Sequence, residues 1–323
     1  MRIVVLGAGA IGAYVGASLA RGGADVVLIA RGPHLEAMRK DGVKVYSPRG
    51  DFQSYPDATD DLSAVGEADV LFIGLKAYSL PDIASCIARL LRADATVLPG
   101  QNGVPWWFFQ SFGGPLEGTI LESVDPGGVI TRAIRAEQIV GCVSYPATEL
   151  AAPGVVRHVE GTRFTIGEPA GPPSERCRMI AEAFTAGGLK CPVEEKIRDQ
   201  LWLKLIGNVA FNSATAVTRA TLGQLGTVPQ MVELLRIVLA EVAAVGTALG
   251  IDLPVSIDRR LEAGIAVGDH KTSMLQDLEA GKSLEIECLT GATIEIADKV
   301  GVPVPATRAL DACVRLVDQN RHR

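Results

Sequence analysis

MRIVVLGAGAIGAYVG, residues 1–16, joins a short apolar run to glycines at positions 7, 9, 12 and 16. The run RIVVLG is a short β-branched strand, and Gly7-Ala8-Gly9-Ala10-Ile11-Gly12 follows it at once as G-x-G-x-x-G, opening the helical segment AIGAYVGASLARGG. In that context the first glycine permits a tight turn and the second lets a pyrophosphate approach the backbone. The third allows close helix–sheet packing, while the helix N-terminus offers N–H groups to the anion. An isolated motif of this kind can also be an ordinary turn. A signal peptide would need a longer cationic leader and no glycines at turn spacing, so the segment reads as folded structure.

The second strand (26–30) ends at Arg31, where an NAD site usually places Asp or Glu against the ribose hydroxyls. Asp25 precedes that strand and is badly placed for the role. A guanidinium at the strand end suits a 2′-phosphate through its planar fork of donors and permanent charge, which points to NADP(H). The alternative is a solvated loop arginine.

ADVLFIGLK, SLPDIASCIARLLR and TVLPGQNG continue the strand–helix alternation, implying parallel strands with crossover helices. From Val140 the shorter strands GCVSYPATEL, GVVRHVE and RFTIGE are expected to extend the same sheet. After Pro192 apolar-periodic helical segments take over, at 196–220, 229–249, 256–281 and 284–300. The expected architecture is α/β: an N-terminal Rossmann-type domain over 1–194 and an all-helical domain over 195–323.

The 323 residues can bury the cores of two domains. They are 48% hydrophobic and 21% charged, as in a soluble enzyme. A net charge of −6 without a Lys/Arg block argues against nucleic acid or an anionic membrane surface as partner. No run of apolar residues is long enough to span a bilayer free of charges or glycine. A cytoplasmic protein with a small-molecule partner is expected, and the apolar helical domain is compatible with a homodimer. Cys86, Cys142, Cys177, Cys191, Cys288 and Cys313 form no C-x-x-C pair and the histidines do not cluster near them. Reduced structural thiols and no metal site follow.

LWLKLIGNVAFNSATA (201–216) reads as a buried helix bearing Lys204, Asn208 and Asn212 at steps of four. On an α-helix four residues advance about 400°, so the row drifts only about 40° per step and forms one polar stripe. Burying an unpaired amide costs about 1–3 kcal/mol, so these groups need partners. The stripe either bridges structural elements or grips a substrate with carbonyl and hydroxyl groups, Lys204 giving up a proton. Ser273, in KTSMLQD (271–277), could be a helix cap, and Glu287 a surface residue.

Taken in order, GAGAIG (7–12), LKAY (75–78), QNGV (101–104), KLIGNVAFN (204–212) and TSMLQDLEAGKSLEI (272–286) resemble the ketopantoate reductase family over nearly the whole length. The resemblance implies a Rossmann domain plus a helical domain and hydride transfer from NADPH to a 2-oxo acid. It also implies that Lys204 is the general acid, that Asn208 and Asn212 hold the substrate's hydroxyl end, and that Ser273 binds its carboxylate. By the same likeness Lys76, Asn102 and the main chain of Ala147 contact cofactor, Asn102 also lies close to substrate, and Glu285, catalytic together with Lys204, stands at the cofactor end of the site, where its carboxylate could hold Lys204 protonated. The segment after Asn102 is longer and more aromatic than the family's common form. Trp106, Trp107, Phe108 and Phe109 either fill core or reshape the pocket, and the second case would allow a paralogue acting on another branched 2-oxo acid. A non-catalytic NADP-binding sensor is the reading from a different class.

Overall fold

Residues 1–321 are described in this computed structural model and divide into two units. The first comprises Met1–Gln101, Pro105–Ile120 and Gly127–Ile197; the second takes Asn102–Val104, Leu121–Pro126 and the chain from Arg198 onward.

The first unit holds β1 (Arg2–Leu6), β2 (Asp25–Ile29), β3 (Val43–Tyr46), β4 (Phe52–Ser54), β5 (Asp57–Thr59), β6 (Ala68–Ile73), β7 (Leu91–Pro99), β8 (Gly141–Ser144), β9 (Ala147–Ala152), β10 (Val155–Glu160) and β11 (Phe164–Gly167). Five strands pair in parallel in the order β5-β2-β1-β6-β7. The continuous apolar run of β1, buried from Ile3 to Leu6, is what a central parallel strand covered on both faces requires. Asp25 is the first residue of β2 rather than preceding it, and the strand stops at Ile29.

The expectation that 140–167 extends this sheet holds only in part. β8 and β11 form an antiparallel pair that adjoins β7 through the Val97–Ile139 bridge. β9 and β10 instead join β3 and β4 in a separate sheet, β4-β3-β10-β9. Helix Ala10–Arg21 packs between the two sheets, which buries it from Gly12 to Leu19. Alternating polarity cannot tell which partner a strand chooses, so the second sheet was not readable from strand patterns.

At the end of β11 Glu168, 9% exposed, accepts from Arg176 Nε at 2.8 Å and from the Ser174 hydroxyl, while Arg176 also reaches the Ile139 carbonyl at 3.1 Å. Burial pushes the Glu168 carboxyl up; the hydrogen bonds from Arg176 and Ser174 and the guanidinium charge outweigh it, holding it below the ordinary carboxylate range. Such a group adds stability above its unfolded-state pKa and loses it as pH falls through the depressed folded value. Glu168→Gln is therefore expected to cost about 1–3 kcal/mol at neutral pH. Urea unfolding of both proteins should show that difference shrinking in acid.

The helical unit is built from Ile197–Gly207, a π-turn at Asn208–Asn212 and Ser213–Thr218, followed by Leu222–Leu225, Pro229–Ala248, Ile257–Ile265, Ser273–Glu279, a π-turn at Glu287–Gly291 leading into Ala292–Val300, and Pro305–Gln319. The expected helix over 256–281 is broken into two. Gly268 takes a left-handed φ of 78°, and Thr272 starts the second piece as its N-cap. The last helix was not among the expected segments; Pro305 in its first turn and buried Leu310 and Val314 are the signals for it. Trp202, fully buried, donates its indole N–H to the Val242 carbonyl at 3.0 Å and pins helix Ile197–Gly207 to helix Pro229–Ala248. No helix among the described residues is long and apolar enough to cross a membrane.

Candidate active site

In the Rossmann unit three predicted residues follow parallel strands at their carboxyl ends: Gly7 after β1, Arg31 after β2 and Lys76 after β6. Strand order reverses between β1 and β6, where open α/β sheets bind ligands. Gly7 adopts φ 92°, the turn that leads to helix Ala10–Arg21. A Cβ at Gly12 would stand 2.1 Å from the Gly7 carbonyl oxygen, whereas one at Gly9 would meet nothing within 4 Å. The loop is closed where helix meets strand and open where a ligand would approach. Gly7 and Ala8 donate their N–H groups to the Ile29 carbonyl at 3.2 and 2.8 Å, tying the loop to the end of β2. Ala10 and Ile11 form the first turn of the helix.

Arg31 is exposed and is the N-cap residue of helix Gly32–Asp41. Lys76 is half-buried at the start of a short 3₁₀ turn. Ala147, half-buried, begins β9, the strand lying on helix Ala10–Arg21.

All six residues expected to meet substrate or to act in the reaction belong to the helical unit, because Asn102 is recruited into it. The Asn102–Val104 segment is held there by the Val104 N–H donating to the Cys288 carbonyl at 2.7 Å. Gly103, at φ 80°, passes so close that an added Cβ would lie 2.3 Å from that same oxygen. This docking presents the Asn102 amide to the helix Ile197–Gly207, where Lys204 donates from Nζ to Asn102 Oδ1 at 2.6 Å.

The spacing of the polar row departs from the α-helical expectation. Asn208 and Asn212 are the two ends of the π-turn, whose wider winding holds back the angular advance between them. Asn208 is half-buried and Asn212 only 6% exposed. Glu285 is buried at 7% exposure, two residues before the second π-turn, and the two π-turns touch.

Ser273 is exposed, and it is not the cap: Thr272 is, accepting from the Leu275 N–H. Thr215 donates its hydroxyl to the Asn212 carbonyl at 3.0 Å, so the 2.6 Å contact between the two threonine hydroxyls has Thr272 as donor. This relay ties the start of Ser273–Glu279 to the end of the first π-turn, setting Ser273 relative to Asn212. Neither Thr215 nor Thr272 is among the residues that the sequence pattern singles out. Thr272, a preferred N-cap residue type, was the available signal, and only for the cap.

Arg260 is likewise not marked by the sequence pattern. Its guanidinium lies against Gly207, 2.0 Å from where a Cβ would be, beside the polar row; in exchange the Phe211 ring sits 2.2 Å from the equivalent point at Gly264. The isolated Gly207 inside a helical pattern was the visible sign of that close approach.

The aromatic segment fills core. Trp106, Trp107, Phe108 and Phe109 are at most 3% exposed, and Phe109 packs edge-on against Phe108 and Phe112, each with centroids 5.0 Å apart. Among the described residues no group of three or more His, Cys, Asp or Glu could hold a metal ion.

Residues 3–106 match the family described as Ketopantoate reductase PanE/ApbA, and residues 196–318 match its C-terminal part. The chain is 43% identical to the 2-dehydropantoate 2-reductase of Mesorhizobium japonicum, over 98% of this chain and 97% of that one. It is 31% identical to the enzyme of the same name from Halobacterium salinarum, over 99% of this chain and 100% of the other. A crystal structure of a putative ketopantoate reductase from Ralstonia solanacearum superimposes with a TM-score of 0.94 at 37% identity, covering 99% of this chain and 98% of that one.

Proposed function

The chain belongs to the ketopantoate reductase family, and from that premise we propose that it reduces 2-dehydropantoate to pantoate with NADPH, on the route to pantothenate and coenzyme A. The observation that carries this reading is the Lys204–Asn102 hydrogen bond, 2.6 Å long, at the head of the row continued by Asn208 and Asn212.

The residues fit a dinucleotide: the open space over Gly9 is a cradle that any side chain there would fill. Bound there, NADPH would supply a hydride to the 2-oxo carbon. Gly7 to Gly12 hold the pyrophosphate, Arg31 the 2′-phosphate, and Lys76, Asn102 and the Ala147 main chain the rest of the cofactor. Asn208 and Asn212 hold the hydroxyl end of the substrate and Ser273 its carboxylate. As negative charge builds on the carbonyl oxygen, the Lys204 ammonium gives it a proton, so that C=O becomes CH–OH. Asn102 Oδ1, accepting one of the three ammonium protons, aims Nζ at that oxygen. Glu285, which is buried, would stand at the cofactor end of the site and help to keep Lys204 protonated against desolvation.

A panel of 2-oxo acids assayed by NADPH oxidation tests the reading. Ketopantoate should give the highest kcat/KM. Faster turnover of another branched 2-oxo acid would make the protein a paralogous reductase, and no oxidation with any would make it a non-catalytic binding protein.

Arg31 gives a separate expectation for cofactor choice. A charge-assisted hydrogen bond contributes about 1.5–3 kcal/mol, so Arg31→Ala should weaken NADPH binding about tenfold to a hundredfold and leave NADH nearly unchanged. Equal losses for both in a fluorescence titration would mean that Arg31 does not read the phosphate.

A further inference from the structure

We infer that His34 is a positioning residue for the dinucleotide, a strut that fixes the glycine-rich loop and joins it to the helical turn bearing Arg31. The inference rests on the cofactor assignment just proposed. His34 lies three residues after Arg31, in the first turn of helix Gly32–Asp41. Its Nδ1 accepts the Gly154 N–H at 2.9 Å and its Nε2 meets the Ala8 carbonyl oxygen at 2.8 Å.

The two contacts determine the tautomer. A backbone N–H can only donate and a carbonyl can only accept, so the ring proton is on Nε2 and points at Ala8. The far side of the strut is itself anchored. Gly154 forms the turn between β9 and β10, accepts the Lys44 N–H at 2.9 Å, and lies so close to helix Gly32–Asp41 that an added Cβ would be 3.0 Å from Ala37 Cβ.

On the near side Ala8 is gripped at both ends. Its N–H goes to the Ile29 carbonyl and its C=O to His34. A trans peptide is planar, with C=O and N–H pointing opposite ways. Turning the Ala8 carbonyl toward His34 therefore turns the Gly9 N–H away from it. This sets the orientation of the open peptide at the head of helix Ala10–Arg21. The phosphate-binding loop and the 2′-phosphate residue are thereby held in one frame.

Two variants separate the donor from the ring's bulk. His34→Phe keeps a ring and loses both bonds; His34→Gln keeps an N–H donor that can reach Ala8. NADPH affinity, measured by titration on folded samples, should fall about five- to twentyfold in His34→Phe and recover to within about threefold of wild type in His34→Gln. At saturating NADPH, the KM for the 2-oxo acid should not move in either variant. Wild-type affinity in His34→Phe, or equal losses in the two, would overturn the strut. An unmodified protein that binds neither NADPH nor NADH would instead overturn the cofactor assignment beneath it. If His34→Phe does not fold, a loss in His34→Gln of the full five- to twentyfold overturns the inference, and recovery with an unmoved substrate KM supports it.

Discussion

Lys204→Ala is expected to lower kcat for ketopantoate reduction by about 10²- to 10⁴-fold, the usual contribution of a general acid, and to leave NADPH affinity close to wild type. The separation follows from placement. Lys204 belongs to the helical unit and bonds Asn102 there, whereas the glycine loop and Arg31 belong to the Rossmann unit. Without the ammonium, charge on the carbonyl oxygen develops beside the amide of Asn102 with no proton to meet it. Steady-state rates and a binding titration on the same preparations check both halves. A near-normal kcat would remove Lys204 as the acid, and a parallel loss of NADPH affinity would make it a cofactor ligand.

The second large effect is expected at the loop, where two glycine-to-alanine changes should behave differently. Gly12→Ala drives a methyl to 2.1 Å from the Gly7 carbonyl oxygen, a backbone atom that cannot swing aside, so the strand–loop–helix junction must shift. Overpacking of this kind costs about 1–3 kcal/mol of stability. NADPH affinity should fall by about a hundredfold or more, because in the proposed site the displaced helix start would carry the phosphate donors. Gly9→Ala has nothing within 4 Å to clash with, so its melting temperature should match wild type. Only its NADPH affinity should drop, since the methyl occupies the ligand's approach. Thermal melts and titrations of the pair separate packing from recognition.

What was legible in the sequence was local. Gly7, Gly9 and Gly12 announce their roles by position, because a tight turn, an open approach and a close crossing are demands made within a few residues. The parallel core of β1 and β6 shows in uninterrupted apolar runs, and the helical second unit in its periodicity. The aromatic run at 106–109 left core and pocket both open, since hydrophobic bulk alone does not say which side of a wall it faces; its burial decides for core.

What escaped the sequence depends on distant partners. The π-turn at Asn208–Asn212 has no signature in a pattern counted in fours, yet it changes how the two amides are presented. Thr215 and Thr272 are 57 residues apart and meet only in the fold. His34 connects Ala8 to Gly154 across 120 residues on one side. A histidine near a helix start gives no hint of that.

In the proposed reaction a hydride passes from the cofactor to the 2-oxo carbon while Lys204 protonates the oxygen. This transfer is tested most directly with NADPH doubly deuterated at the nicotinamide C4, incubated with the protein and ketopantoate, and mass spectrometry of the product. Pantoate carrying a single deuterium at the former carbonyl carbon is expected. Unlabelled pantoate, or no pantoate while NADPH remains bound, would contradict it.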